Sequence, residues 1–147
     1  MKNIYLDIDG TLLLDDLKNS GRGALGLAFF LVYLGNLQAR GVCRVNWLTT
    51  HCKDGSAGAA LDYLRSKIDP HDYNLIERME ILPTRWNELK TEAIDFSEDF
   101  LWLDDDVSLK EREVLRTNGA SHKLIEVDLG KDKYQLKTIV NSRVLEF

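Results

Sequence analysis

The sequence predicts an α/β protein: a three-layer α/β/α, Rossmann-like domain built on a five-stranded, mainly parallel sheet and spanning residues 1–147. Three observations lead there. Short apolar, β-rich runs alternate with longer helical patterns along the chain, the mark of successive βαβ units. A length of 147 residues suits one domain with a core of its own. Carboxylates and hydroxyls recur where the apolar runs end, and open parallel sheets bind ligands beyond those ends.

Each element follows from its local pattern. Residues 3–7 form a short run, apolar at Ile4, Tyr5 and Leu6, that ends in Asp7. Residues 12–23 mix apolar side chains with Asp15, Asp16, Asn19, Ser20 and two glycines, a flap without a core of its own. Residues 24–40 read as a helix closed by Gly41 at C′. A second strand over 44–49 leads through Asp54-Gly55-Ser56 into a helix over 57–67, which Asp69-Pro70 stops. Residues 80–82 give a short third strand before Pro83, and 87–96 read as helical. A fourth strand over 100–103 runs into Asp104, Asp105 and Asp106. A helix over 108–117 ends at Asn118-Gly119, followed by a fifth strand over 122–127 and a last helix over 131–145. Repeats, linkers and low-complexity segments are absent from the sequence.

Composition narrows the class. Hydrophobic residues make up 44% and charged residues 29%, ordinary for a soluble globular protein. A net charge of -5 argues against a protein that coats nucleic acid, though not against a local basic patch. Cys43 and Cys52 are too few for a disulfide framework and lack metal-ligand spacing, so free thiols in a reducing cytosol are expected. The apolar stretch 24–37 falls short of the ~20 residues that span a bilayer. An N-terminal strand carrying Asp7 does not suit a signal peptide. These features predict a cytoplasmic protein without a membrane partner.

The chemistry concentrates in Asp7-Ile8-Asp9-Gly10-Thr11-Leu12. Strand alternation would point both carboxylates to one side, and Gly10 lets the chain turn. If the strand breaks at Asp9, one carboxylate can attack while the other handles protons. A carboxylate is a competent nucleophile toward phosphorus, but its charge opposes a phosphate. A hard cation must stand between them, and Mg²⁺ suits oxygen ligands shared with a substrate phosphate. Asp104 and Asp105 would supply the remaining negative charge. Asp, Gly and Thr are also turn formers, so the motif alone equally suits a plain turn. A second acidic cluster at another strand end favours a site.

Read together, these stretches resemble the haloacid dehalogenase superfamily, whose four motifs appear in order across nearly the whole chain. Asp7 to Leu12 matches the first motif without departure, and Val45-Asn46-Trp47-Leu48-Thr49 matches the second. Lys90 is the best match to the third motif, and Leu101-Trp102-Leu103-Asp104-Asp105 matches the fourth. The first and fourth are the specific ones. The resemblance implies a Mg²⁺-dependent phosphomonoesterase with Asp7 as nucleophile and metal ligand. Asp9 would be general acid and then general base, with its backbone carbonyl on the metal. Thr49 and Lys90 would hold the phosphoryl group beside Gly10, and Asp104 would ligate the metal with Asp105 as partner or alternative. An aspartate at position 9 favours phosphatases over the family's ATPases, which carry threonine there, and its dehalogenases, which lack that aspartate and the metal.

Several alternatives stay open. Thr50 competes with Thr49 for the phosphate, and Arg85 or Lys53 with Lys90. His51 and Cys52 read as incidental, Trp47 and Trp102 as core, Trp86 as packing rather than base stacking, and Asp106 as a helix cap or a solvated residue. Neither inter-motif segment has room for a folded cap, so the site should be open, with residues 14–23 its only cover. An open site suits a phosphate on a large molecule, a nucleic-acid end or a phosphoprotein. Trp-Leu-Thr with Trp-Leu-Asp-Asp also resembles the small capless domains of bacterial RNA-repair proteins. The competing readings are a non-catalytic binding or regulatory module of the same fold, and a small-metabolite phosphatase lidded by oligomerisation.

Overall fold

A computed structural model describes residues 1–14 and 22–146. Five strands form one all-parallel sheet: β1 (Lys2–Leu6), β2 (Cys43–Trp47), β3 (Ile81–Leu82), β4 (Phe100–Asp104) and β5 (Leu124–Glu126), in the order β3-β2-β1-β4-β5. Leu6 lies opposite Trp47 on one side and Leu103 on the other. The ends of β1, β2 and β4 therefore finish at one level. Strand order reverses beside β1, so the crevice between β1 and β4 is the switch point where such sheets bind ligands.

Alternation along the strands divides the core in two. Ile4, Leu6, Val45, Trp47, Leu101 and Leu103 face one layer, made by α1 (Leu27–Ala39), α2 (Gly58–Lys67), α3 (Pro70–Arg78) and α5 (Gln135–Ser142). Tyr5, Phe100 and Trp102 face the other, made by α4 (Leu109–Thr117) and the irregular segment around Trp86, Ile94 and Phe96. The three-layer α/β/α reading holds, with its layers unequal in helix content. Each fully buried large apolar side chain contributes roughly 1.5–3 kcal/mol.

Helix ends follow the local chemistry. Gly41 and Gly119 both take left-handed backbone, at φ 71° and 65°. The next residue's N–H returns to the helix, Val42 to the Leu37 carbonyl and Ala120 to that of Leu115, closing two Schellman ends. α1 starts at Leu27 rather than 24 because Gly26 is also left-handed, at φ 78°. Asp69-Pro70 stops α2 as expected but also starts α3, absent from the sequence reading. The Asp69 carboxylate accepts the Asp72 N–H at 2.9 Å, and Pro70 occupies the first turn, where its missing N–H costs nothing. The helix expected over 87–96 shrinks to one 3-10 turn, Lys90–Ala93. There the Glu92 carboxylate accepts the N–H groups of Asn87, Glu88 and Leu89, folding the chain before a helix can begin.

Most of the flap, residues 15–21, lies outside the described residues. Its base is fixed: the Leu14 N–H donates to Arg22 at 2.7 Å and the Ala24 N–H to Leu12 at 2.8 Å. Leu12 and Leu13 are core residues. Among the described residues no second folded unit covers the strand ends, and no helix is long and apolar enough to cross a membrane.

Leu34, fully buried on α1, should cost ~2–5 kcal/mol when replaced by Ala, whereas Phe29→Ala on the outward face should stay within ~0.5 kcal/mol. Denaturant unfolding of the two variants measures the contrast.

Candidate active site

Parity along two strands builds the centre of the site. Asp7 follows Tyr5 by two residues and Asp104 follows Trp102 by two, so both carboxylates continue the face that carries the smaller core. The 3-10 turn beginning at Lys90 packs on that face. Its ammonium lies 3.1 Å from Asp7 Oδ1 and 2.6 Å from Asp104 Oδ2, bridging β1 and β4 across the switch point.

Further donors fix this bridge. Asp104 is fully buried; it also accepts from Trp102 Nε1 at 3.1 Å and from the Asp106 N–H at 3.0 Å. Asp7 is held through its backbone, whose N–H donates to the Leu103 carbonyl at 3.1 Å. The Lys90 N–H donates to Glu111 Oε2 at 2.8 Å. The other Glu111 oxygen takes the N–H and hydroxyl of Ser108, the N-cap of α4, in a capping box. Ser108, not Asp106, caps this helix. Glu111 thus ties the Lys90 turn to the start of α4. The sequence reading missed Glu111 and took Trp102 for packing alone; an aspartate two residues past a tryptophan, on the same face of a strand, was the available signal.

Asp105 completes an acidic cluster. Asp7, Asp104 and Asp105 each offer an oxygen, all within 4.8 Å of one another. Gly10 makes room for Asp105: a Cβ on Gly10 would stand 2.0 Å from Asp105 Oδ2, and its φ is 74°. Only glycine meets both demands.

Burial governs the electrostatics. Loss of hydration pushes the Asp7 carboxyl up to about 6, while the Lys90 ammonium pulls it back. Asp104 is pushed up to about 6 by burial first and by Asp7 second, again against Lys90. Asp105, the most exposed of the three, also rises, by desolvation foremost. Burial alone would lower Lys90, but Asp7 and Asp104 outweigh it and hold its ammonium above the usual range. Three carboxylates face one ammonium, leaving negative charge that a divalent cation would offset. All-oxygen donors at this spacing fit a hard cation such as Mg²⁺.

Asp9 parts company with Asp7. Regular strand ends at Leu6, so alternation no longer governs position 9, and the chain turns through Gly10. The Asp9 carboxylate lies 2.8 Å from His51 Nε2 and 2.5 Å from the Tyr63 hydroxyl. His51, read as incidental in the sequence, is therefore part of the site, and Tyr63 on α2 was missed outright. Neither had a local signal, since both reach Asp9 from distant elements.

The remaining candidates sort by place. Thr49 is buried, its hydroxyl oxygen accepting the His51 N–H at 3.4 Å. Thr50 is exposed and lines an open groove of about 930 Å³ with His51, Lys53, Arg85 and Trp86. Lys53 lies 4.6 Å above the Trp86 ring rather than at the carboxylates. A second groove, of about 430 Å³, opens beside Gly10 and Asp105. Cys43 and Cys52 are free and buried, and burial pushes the Cys43 thiol up to about 11. Comparison with family models, curated proteins and solved structures gave no match.

Two outcomes test this geometry. Asp7 and Asp104 hold protons more tightly folded than unfolded, so their charging weakens the fold. That penalty is absent below about pH 4, the unfolded carboxylate value, and complete above about pH 6. In chelator, melting temperature should fall between those limits in the natural protein and less in Asp104→Asn. Gly10→Ala should lower the melting temperature, because Asp105 must move.

Proposed function

We propose that the chain is a phosphomonoesterase of the haloacid dehalogenase type, working through an aspartyl-phosphate on Asp7. The Lys90 bridge between Asp7 and Asp104, with Asp105 alongside at the switch point, is the observation that carries this reading. Its elements match what phosphoryl transfer requires, positioning and charge neutralisation more than covalent assistance.

Asp7, Asp104 and Asp105 would hold Mg²⁺, with the Asp9 backbone carbonyl as a further oxygen. When bound, the ion supplies positive charge that lets a carboxylate approach a phosphate. The chain's own groups do the rest. An Asp7 oxygen forms a bond to phosphorus while the bond from phosphorus to the leaving oxygen breaks. That oxygen takes a proton from the Asp9 carboxyl. A water then attacks phosphorus, gives its proton to Asp9, and frees the Asp7 carboxylate and inorganic phosphate. The Lys90 ammonium and the Thr49 hydroxyl hold the phosphoryl oxygens. Thr49 accepts from His51, so its own proton is free to point into the site.

The open strand ends and the groove past Thr50 support a large phosphorylated substrate. Lys53, Arg85 and Trp86 line that groove beside Asp54 and Glu92; the aromatic ring with two cations favours a nucleic-acid end over a phosphoprotein. Buried free thiols suit a reducing compartment, and the cytoplasm is the proposed location.

Phosphate release from p-nitrophenyl phosphate should require Mg²⁺, stop in chelator and resume on readdition. Asp7→Asn should lower it by about 10³-fold or more. Beryllofluoride should form an adduct on Asp7 in the natural protein only. A natural protein that binds Mg²⁺ yet turns over neither generic phosphoesters nor 3′- and 5′-phosphorylated oligonucleotides would instead be a binding module. Strong turnover of sugar phosphates by the monomer would overturn the open-site argument.

A further inference from the structure

We propose that His51 and Tyr63 are positioning residues that clamp the Asp9 carboxylate, one oxygen each, and aim it at the leaving group; this rests on the phosphatase reading. The two contacts lie on different oxygens: His51 Nε2 is 2.8 Å from Oδ2 and the Tyr63 hydroxyl 2.5 Å from Oδ1. With Asp9 ionised, both partners donate. A carboxylate gripped at both oxygens from two elements cannot rotate about its side-chain bonds.

The grip is itself supported. The His51 and Tyr63 rings stack with centroids 3.9 Å apart and planes 17° from parallel, so the two donors form one unit. His51 sits in the 3-10 turn Thr50–Cys52 that follows β2. Its N–H donates to Thr49 Oγ1, and Cys52 Sγ–H donates to the Trp47 carbonyl at 3.6 Å. The same short turn thus carries Thr49, assigned to the phosphoryl oxygens, and the residue that orients the acid. Tyr63 comes from α2, which packs beside this turn.

Asp9 needs such a device more than Asp7 does. Its side chain is 43% exposed, against 9% for Asp7, which Lys90 already reaches. An exposed carboxylate on a turn has rotamers to lose, and a proton donor works only within hydrogen-bond reach of the leaving oxygen. Small misplacement is costly: about 1 Å can forfeit about 100-fold in rate.

Leaving-group chemistry distinguishes a clamp from mere structural support. Nitrophenolate departs without a proton, whereas an alkoxide needs one as the bond to phosphorus breaks. kcat/KM reports that first step, formation of the aspartyl-phosphate. It should be measured with p-nitrophenyl phosphate and an alkyl phosphate in the Mg²⁺-loaded protein. Asp9→Asn, His51→Ala and Tyr63→Phe should each lose at least about tenfold more on the alkyl substrate than on the aryl one. His51→Gln, which keeps a donor where Nε2 stood, should recover most of the His51→Ala loss. Equal losses on both substrates, or no loss, would overturn the clamp. Tyr63→Phe keeps the ring stack and removes one oxygen, so it decides the matter even if His51→Ala folds poorly. A natural protein inert toward both substrates and toward 3′- and 5′-phosphorylated oligonucleotides would sink the phosphatase reading, and the clamp with it.

Discussion

The Lys90 ammonium lodged between Asp7 and Asp104 is the interaction on which the rest of the site depends. Two carboxylates taken out of water on neighbouring strands repel each other, and neither can regain hydration where it sits. One cation placed within hydrogen-bond distance of both makes the pair tolerable without cancelling its charge. The raised carboxyls of Asp7 and Asp104 record that residual strain. A site in this condition favours added positive charge and is poised to take it up.

The surrounding fold serves that placement. Parallel strands ending at one level bring β1 and β4 side by side, and side-chain parity turns both aspartates to the face opposite α1. On that face a regular helix would have carried Lys90 along its axis. Instead Glu92 curls the chain into a turn, and Glu111 holds the turn by its backbone to α4. Trp102 fills the core with its rings and donates its N–H to Asp104, so packing and polar satisfaction come from one side chain. Together these residues set where the ammonium stands.

The two aspartates of one short motif end in different surroundings. Asp7 is buried among ionic partners, whereas Asp9 is partly exposed, with an imidazole and a phenol for company. The division follows from where the strand stops. At Leu6 the ladder ends, Gly10 takes a positive φ, and the backbone between them turns the second carboxylate toward α2. Environment, not residue type, separates the two carboxylates.

What the sequence by itself determined was the alternation of strands and helices, the two glycine-closed helix ends, and the presence of acids and hydroxyls at strand ends. Those features are local: they depend on periodicity, propensity and turn chemistry within a few residues. α3 was hidden because Asp69-Pro70 reads equally as a stop and a start, and the lost helix over 87–96 because one glutamate captured three backbone donors. Only the tertiary structure decided that Lys90, rather than Lys53 or Arg85, reaches the carboxylates, and that His51 and Tyr63 meet at Asp9. Each of those choices is a distance between residues far apart in the chain, set by strand register and layer packing. No window of sequence contains it.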